Sequence, residues 1–120
     1  MADEFLDARD LEWRPHRLDV AHGVYAKTFS TGEVKVSLVR VIPGGAFTPH
    51  RDTWGHIFFF LSGEGRATVG ETTSSVKAES VVSVLPGVTH SYENTGSSDL
   101  TLISINLPPT NRRRSAEGAC

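Results

Sequence analysis

PGGAFTPHRDTWGHIFFFLSG, Pro43 to Gly63, is the stretch on which the reading of this chain turns. It holds two of the five histidines, His50 and His56, with Asp52 two residues beyond the first. Glycines punctuate both ends. Ile57 to Leu61 is a nearly all-apolar strand. The counterpart is LPGVTHSYEN, Leu85 to Asn94, which brings His90. Each segment has Pro-Gly, a short spacer and a histidine. The chemistry is expected where the two meet.

Working outward, Val34 to Ile42 alternates apolar and polar residues over its first half and is rich in β-branched side chains, the pattern of a strand. Pro43-Gly44-Gly45 is expected to break it, leaving Thr48 to Asp52 as a short strand of its own. Downstream, Arg66–Val69, Ser75–Lys77, Ser80–Leu85, Thr89–Glu93 and Leu100–Leu107 read as further strands between Gly, Pro and Ser punctuation. Upstream, Val24 to Phe29 is strand-like. Asp7 to Trp13 suits a helical turn that Pro15 would end. Eight or nine short strands without a long helix indicate an all-β fold, a sandwich or barrel. The two similar histidine segments are consistent with the two Greek-key halves of a jelly roll.

A chain of 120 residues supports one core. The expected organisation is an N-terminal arm over 1–22, packed down by Trp13 and Leu18, a single domain over 23–109, and a disordered polar tail over 110–120. With a net charge of −2, no nucleic-acid or membrane surface is indicated. Arg112 to Arg114, the one basic cluster, falls in the tail. No apolar run approaches the ~18 residues of a membrane span, and the first twenty residues lack the apolar core of a signal peptide. The single cysteine, Cys120, cannot form an intramolecular disulfide, so a reducing cytoplasm is the default.

His50 and Asp52 are i, i+2 and share a face if extended. His56, Phe58 and Phe60 share one parity, and His90 and Tyr92 another. Three imidazoles and a carboxylate can therefore converge inside an apolar barrel. Buried without partners they would cost about 1–3 kcal/mol each, and one divalent metal would satisfy them together. Phe58, Phe60 and Tyr92 are expected to line the pocket, and Trp54, in the loop between ligand strands, to cap it. His16 and His22 are expected at the surface.

The chain resembles a small single-domain cupin. That family's first motif, G-x5-H-x-H-x3,4-E-x6-G, is met by Gly44, His50, Asp52, His56 and Gly63 in position. Its second, G-x5-P-x-G-x2-H-x3-N, is met by Gly87, His90 and Asn94, with Glu79 and Leu85 at the leading glycine and the proline. Asp52 stands where the family has a second histidine, and His56 where it has glutamate. The resemblance implies a double-stranded β-helix and a metal held by His50, Asp52, His56 and His90. Three nitrogens and one oxygen suit Fe, Mn, Ni, Cu or Zn alike. Asp52 is either a ligand or a general base, and Tyr92 a second catalytic candidate. His50, Asp52 and His90 also fit the order of a 2-His-1-carboxylate triad. No inward arginine or lysine cluster is evident. The implied function is a metal-dependent enzyme on a small, aromatic or apolar substrate, by dioxygenase chemistry or by carbonyl activation of lyase, isomerase or polyketide-cyclase type. The alternative is a metal- or ligand-binding module without turnover. The resemblance further implies a homodimer.

Overall fold

The computed structural model describes residues 5–29 and 32–109, so the tail expected over 110–120 lies outside the described residues. Nine strands follow in order: β1 (Arg14–Pro15), β2 (Ala21–Thr28), β3 (Lys35–His50), β4 (Gly55–Ser62), β5 (Glu64–Val69), β6 (Thr72–Lys77), β7 (Val81–Val84), β8 (His90–Asn94) and β9 (Leu100–Leu107). They pair in the order β6-β5-β8-β3-β9-β4-β7, with β2 beside β3 and β1 beside β2. Every pairing is antiparallel. This is the expected all-β barrel of jelly-roll type, nearly closed.

Pro43-Gly44-Gly45 does not end a strand, contrary to the sequence expectation. β3 runs through it for 16 residues and changes partners there. Lys35 to Val41 pair with β9, and Ala46 to His50 pair with β8. One strand thus belongs to both halves of the barrel. The punctuation residues make the corner. Gly44 has φ +84, which a side chain resists. A Cβ on Gly45 would sit 2.8 Å from the Gly23 carbonyl oxygen, so β2 can close on the bend only over glycine. Asn94 ties the corner down: its Nδ2 donates to the carbonyls of Val41 (2.9 Å) and Ser98 (2.8 Å), and its Oδ1 accepts from the Gly96 N–H (2.8 Å).

Register sets what faces inward, because directly paired residues point to the same side of a sheet. Across β3, β9 and β4, one row is Lys35, Asn106 and His56, and the next inward is Ser37, Ser104 and Phe58. The third is Val39, Leu102 and Phe60, all buried. The inner face therefore grades from a polar mouth to an apolar floor.

The arm docks on the outer face. Trp13 is flanked by Lys27 Nζ and the Arg40 guanidinium, 4.8 and 4.7 Å from its ring, a cation–π arrangement. Leu18 does not pack: it is 75% exposed. Val20 takes that role against the core, and its carbonyl accepts from the Thr48 N–H (2.8 Å) and Oγ1 (2.6 Å). Leu18 sits in a turn that directs it to solvent, one residue after Arg17 adopts a left-handed φ of 52°. The helical turn is a single 3-10 turn, Ala8–Asp10, capped by Asp7.

Candidate metal centre

Four elements bring the expected residues together. His50 closes β3, Asp52 lies in the following loop, His56 enters β4, and His90 opens β8. The two histidine segments are tied directly, since the Gly87 N–H donates to the Asp52 carbonyl at 2.8 Å. Asp52 is the hub. Its Oδ2 lies 2.9 Å from His56 Nε2, 3.3 Å from His50 Nε2 and 3.8 Å from His90 Nε2. Donor atoms of His50, Asp52 and His90 all fall within 4.8 Å of one another. His56 is outside that mutual set and joins it through Asp52.

Each imidazole is oriented from behind. His50 Nδ1 meets the Thr48 carbonyl at 2.8 Å and His90 Nδ1 the Val88 carbonyl at 2.9 Å. A carbonyl only accepts, so both Nδ1 atoms carry the proton. His56 Nδ1 meets Asn106 Oδ1 at 2.9 Å. In neutral His50 and His90 the lone pairs are then on Nε2 and face a carboxylate, which also only accepts, while His56 Nε2 donates to Asp52 Oδ2 at 2.9 Å. Acceptors so placed need a cation or added protons at their centre. His50 Nε2 is buried with no hydrogen-bond partner. The donor set therefore fits a divalent metal ion. Ring packing holds the geometry: Phe47 stacks on His50 at 4.5 Å and Phe58 on His56 at 5.3 Å.

Electrostatics favour the ligand forms. Burial pushes the Asp52 carboxyl up, but His50, His56 and Arg17 together outweigh it and leave it below the ordinary value. Burial lowers His90, which keeps it neutral, and the neighbouring His56 and His50 add to that against a raising contact from the Val88 carbonyl. Burial raises the Tyr92 phenol.

A cavity of about 220 Å³ opens on these groups. Trp54, Phe58 and Tyr92 line it as expected. Phe60 does not. It is 0% exposed and lies one row below Phe58 in the floor of the barrel. His22 is exposed as expected, but His16 is half-buried and lines the cavity. Burial, then the charges of Lys35 and Arg17, hold its imidazole down to about 4. Arg17 and Lys35 also line the cavity, so the mouth has inward cations that sequence reasoning did not find. Phe47, Ser104 and Asn106 were missed too. The last two had a signal, being polar residues on the inward parity of β9. Arg17 had none, because the docking of the arm alone places it.

The chain matches the family model of the cupin domain over residues 37–106. Comparison with curated proteins returns no match. Among solved structures, a predicted oxalate decarboxylase from Thermotoga maritima superposes with a TM-score of 0.80 at 20% identity, covering 88% of this chain and 99% of that one. KdgF from a Halomonas species gives 0.77 at 16%, over 94% and 99%. The polyketide cyclase RemF from Streptomyces resistomycificus gives 0.78 at 15%, over 88% and 79%. These likenesses carry the fold and not the activity. Fold, paired histidine segments and the match over residues 37–106 agree: the chain belongs to the cupin family.

Proposed function

We propose that this cupin is a metal-dependent enzyme acting on a small organic molecule in the barrel mouth, by carbonyl activation of lyase, isomerase or cyclase type. The observation that carries the reading is the convergence of three Nε2 atoms on Asp52 Oδ2, with each Nδ1 already facing an oxygen behind it. A divalent ion there would supply Lewis-acid polarisation of a carbonyl. His50, Asp52 and His90 would hold it, with His56 as fourth ligand or as the group that orients Asp52. Phe47, Phe58 and Trp54 offer apolar contact to a flat substrate, and Ser104 and Asn106, paired beside Phe58 and His56, add polar groups to the lining. Tyr92 keeps its proton at ordinary pH, so it serves as a donor and not as a base.

Metal analysis after reconstitution tests the reading. Wild type is expected to hold about one equivalent of Fe, Mn, Ni, Cu or Zn, and His50→Ala and His90→Ala to lose most of it. Less than about a tenth of an equivalent in wild type sinks it. Pulsed EPR of copper-loaded His56→Gln decides the role of His56: one fewer coordinated imidazole makes it a ligand, an unchanged count makes it the partner of Asp52. The ligand order His50, Asp52, His90 also keeps dioxygenase chemistry in view, and oxygen uptake during turnover with an iron-loaded sample would select it. A homodimer belongs to the proposal. Phe5 and Leu6, exposed at 103% and 55%, supply apolar surface for a second copy, and sizing chromatography reads the outcome.

A further inference from the structure

We infer that the mouth of the pocket is a carboxylate receptor, in which Arg17 and Lys35 hold the anionic end of a small oxo- or hydroxy-acid. This rests on the metal reading above and adds the substrate class to it. The cavity lining contains two cations, Arg17 and Lys35, and one acid, Asp52. Asp52 is turned inward, with Oδ2 facing the three imidazoles. A divalent ion at that point would more than cancel its charge. Lys35 would then face the mouth with no acid in the lining to balance it, and Arg17 with only Asp19, which stands outside the lining.

They come from separate elements. Lys35 pairs with Asn106, which pairs with His56, so Lys35 stands two strands from a metal-site residue on the inner face. Arg17 arrives from the arm and is held by Asp19, with Nε and Nη2 at 3.2 and 3.3 Å from its carboxylate oxygens. Its Nη1 touches Asp52 Oδ1 at 3.4 Å, longer than the ~2.7–2.9 Å of a strong charge-assisted bond. A guanidinium has five N–H donors, and those contacts leave some for a carboxylate. The backbone is left-handed here, with φ 52°. That strain, at a site and in an arginine, is the kind retained where the side chain is needed. The field of the pair registers on His16 beside them, which Lys35 and Arg17 both push down after burial.

Size narrows the class. About 220 Å³ is below the ~300–1,000 Å³ of drug-sized sites and near the volume of seven waters. That admits one ring or a short chain with its acid group. The carboxylate sits on the cations, the apolar part lies against Phe47, Phe58 and Trp54, and a second oxygen faces the histidines.

The test is isothermal titration calorimetry with benzoylformate and its methyl ester on zinc-loaded protein. Wild type is expected to bind the acid at least about tenfold tighter than the ester. Arg17→Gln and Lys35→Gln should each shrink that preference by about threefold or more, with ester affinity and zinc content held. Equal affinities for acid and ester, or a preference that survives both substitutions, overturns the receptor. If Arg17→Gln alters zinc content through Asp52, Lys35→Gln decides alone. Titration of metal-free protein separates the two readings. Preference for the acid in a protein that takes up no metal upholds the receptor and sinks the metal centre. Metal uptake without preference does the reverse.

Discussion

Two described residues other than glycine have positive φ, Arg17 at 52° and Glu79 at 73°. Glu79 stands where the cupin second motif begins with glycine. It lies in the turn between β6 and β7, where its N–H donates to the Phe60 carbonyl at 2.8 Å. An L-residue there costs about 1–2 kcal/mol. Glycine removes that cost but has more freedom to lose on folding, about 0.5–1 kcal/mol. Glu79→Gly is therefore expected to stabilise the protein by roughly 0.5–1 kcal/mol, read as a rise of a few degrees in the melting temperature. Equal or lower stability would mean that the turn is not strained.

His16 gives the pH dependence. Its folded value is about 4, against roughly 6.5 in an unfolded chain. Between those values the unfolded state binds a proton that the folded state refuses. Stability therefore falls as the pH drops from about 6.5 to about 4 and is independent of His16 above that window. His16 is half-buried against Phe47, with ring centroids 5.8 Å apart, so solvent screening reduces the effect to on the order of 2 kcal/mol. Urea titrations of metal-free wild type and His16→Gln at pH 7.5 and 4.5 measure it. The variant should lose less stability on acidification, and parallel losses would assign the acid sensitivity elsewhere.

At the scale of elements, β3 matters most, because one strand serves both halves of the barrel and ends in His50. Asn94 guards its corner with three hydrogen bonds, one of them to the buried Val41 carbonyl. Asn94→Ala leaves those backbone groups without their partner and is expected to cost about 2–3 kcal/mol in urea denaturation. A loss under about 0.5 kcal/mol would show that strand pairing alone holds the corner. The same strand marks the limit of what the sequence made legible. β9 was readable end to end, since Leu100 to Leu107 is bounded by loop and Pro-Pro. Pro43-Gly44-Gly45 carried a true local signal of a bend, but whether a bend ends a strand depends on which partners receive each side. That information lies in β8 and β9, some fifty residues away. The ligand candidates were legible for the opposite reason. Each sits at a fixed spacing from a turn, and the turns fix where the side chains point. Arg17 and His16 reach the pocket only through the docking of Trp13 on Lys27 and Arg40 and of Val20 on Thr48, contacts between segments with no shared motif.

For the whole molecule, an ion held at the candidate centre would act as a cross-link. The residues of the centre come from the end of β3, the loop after it, β4 and β8, so they lie across the run β8-β3-β9-β4 and span 40 positions of sequence. In the unfolded chain they do not form a site, so an ion that binds only the folded state stabilises it by mass action. At a free concentration about a thousandfold above the dissociation constant the gain is about 4 kcal/mol. For a domain of this size that corresponds to a rise in melting temperature on the order of 10 °C. The shift should grow with the logarithm of metal concentration. It should be absent in Asp52→Asn, which keeps the shape of the hub but removes the charge that the three histidines surround. The metal-free variant also tests the acceptor argument by itself. An amide in place of the carboxylate can donate one N–H to the unpartnered His50 Nε2, which faces only an acceptor in the wild type without an ion. Asp52→Asn is thus expected to melt at or above metal-free wild type and well below the metal-loaded protein. An equal metal-induced shift in both proteins would remove Asp52 from the centre.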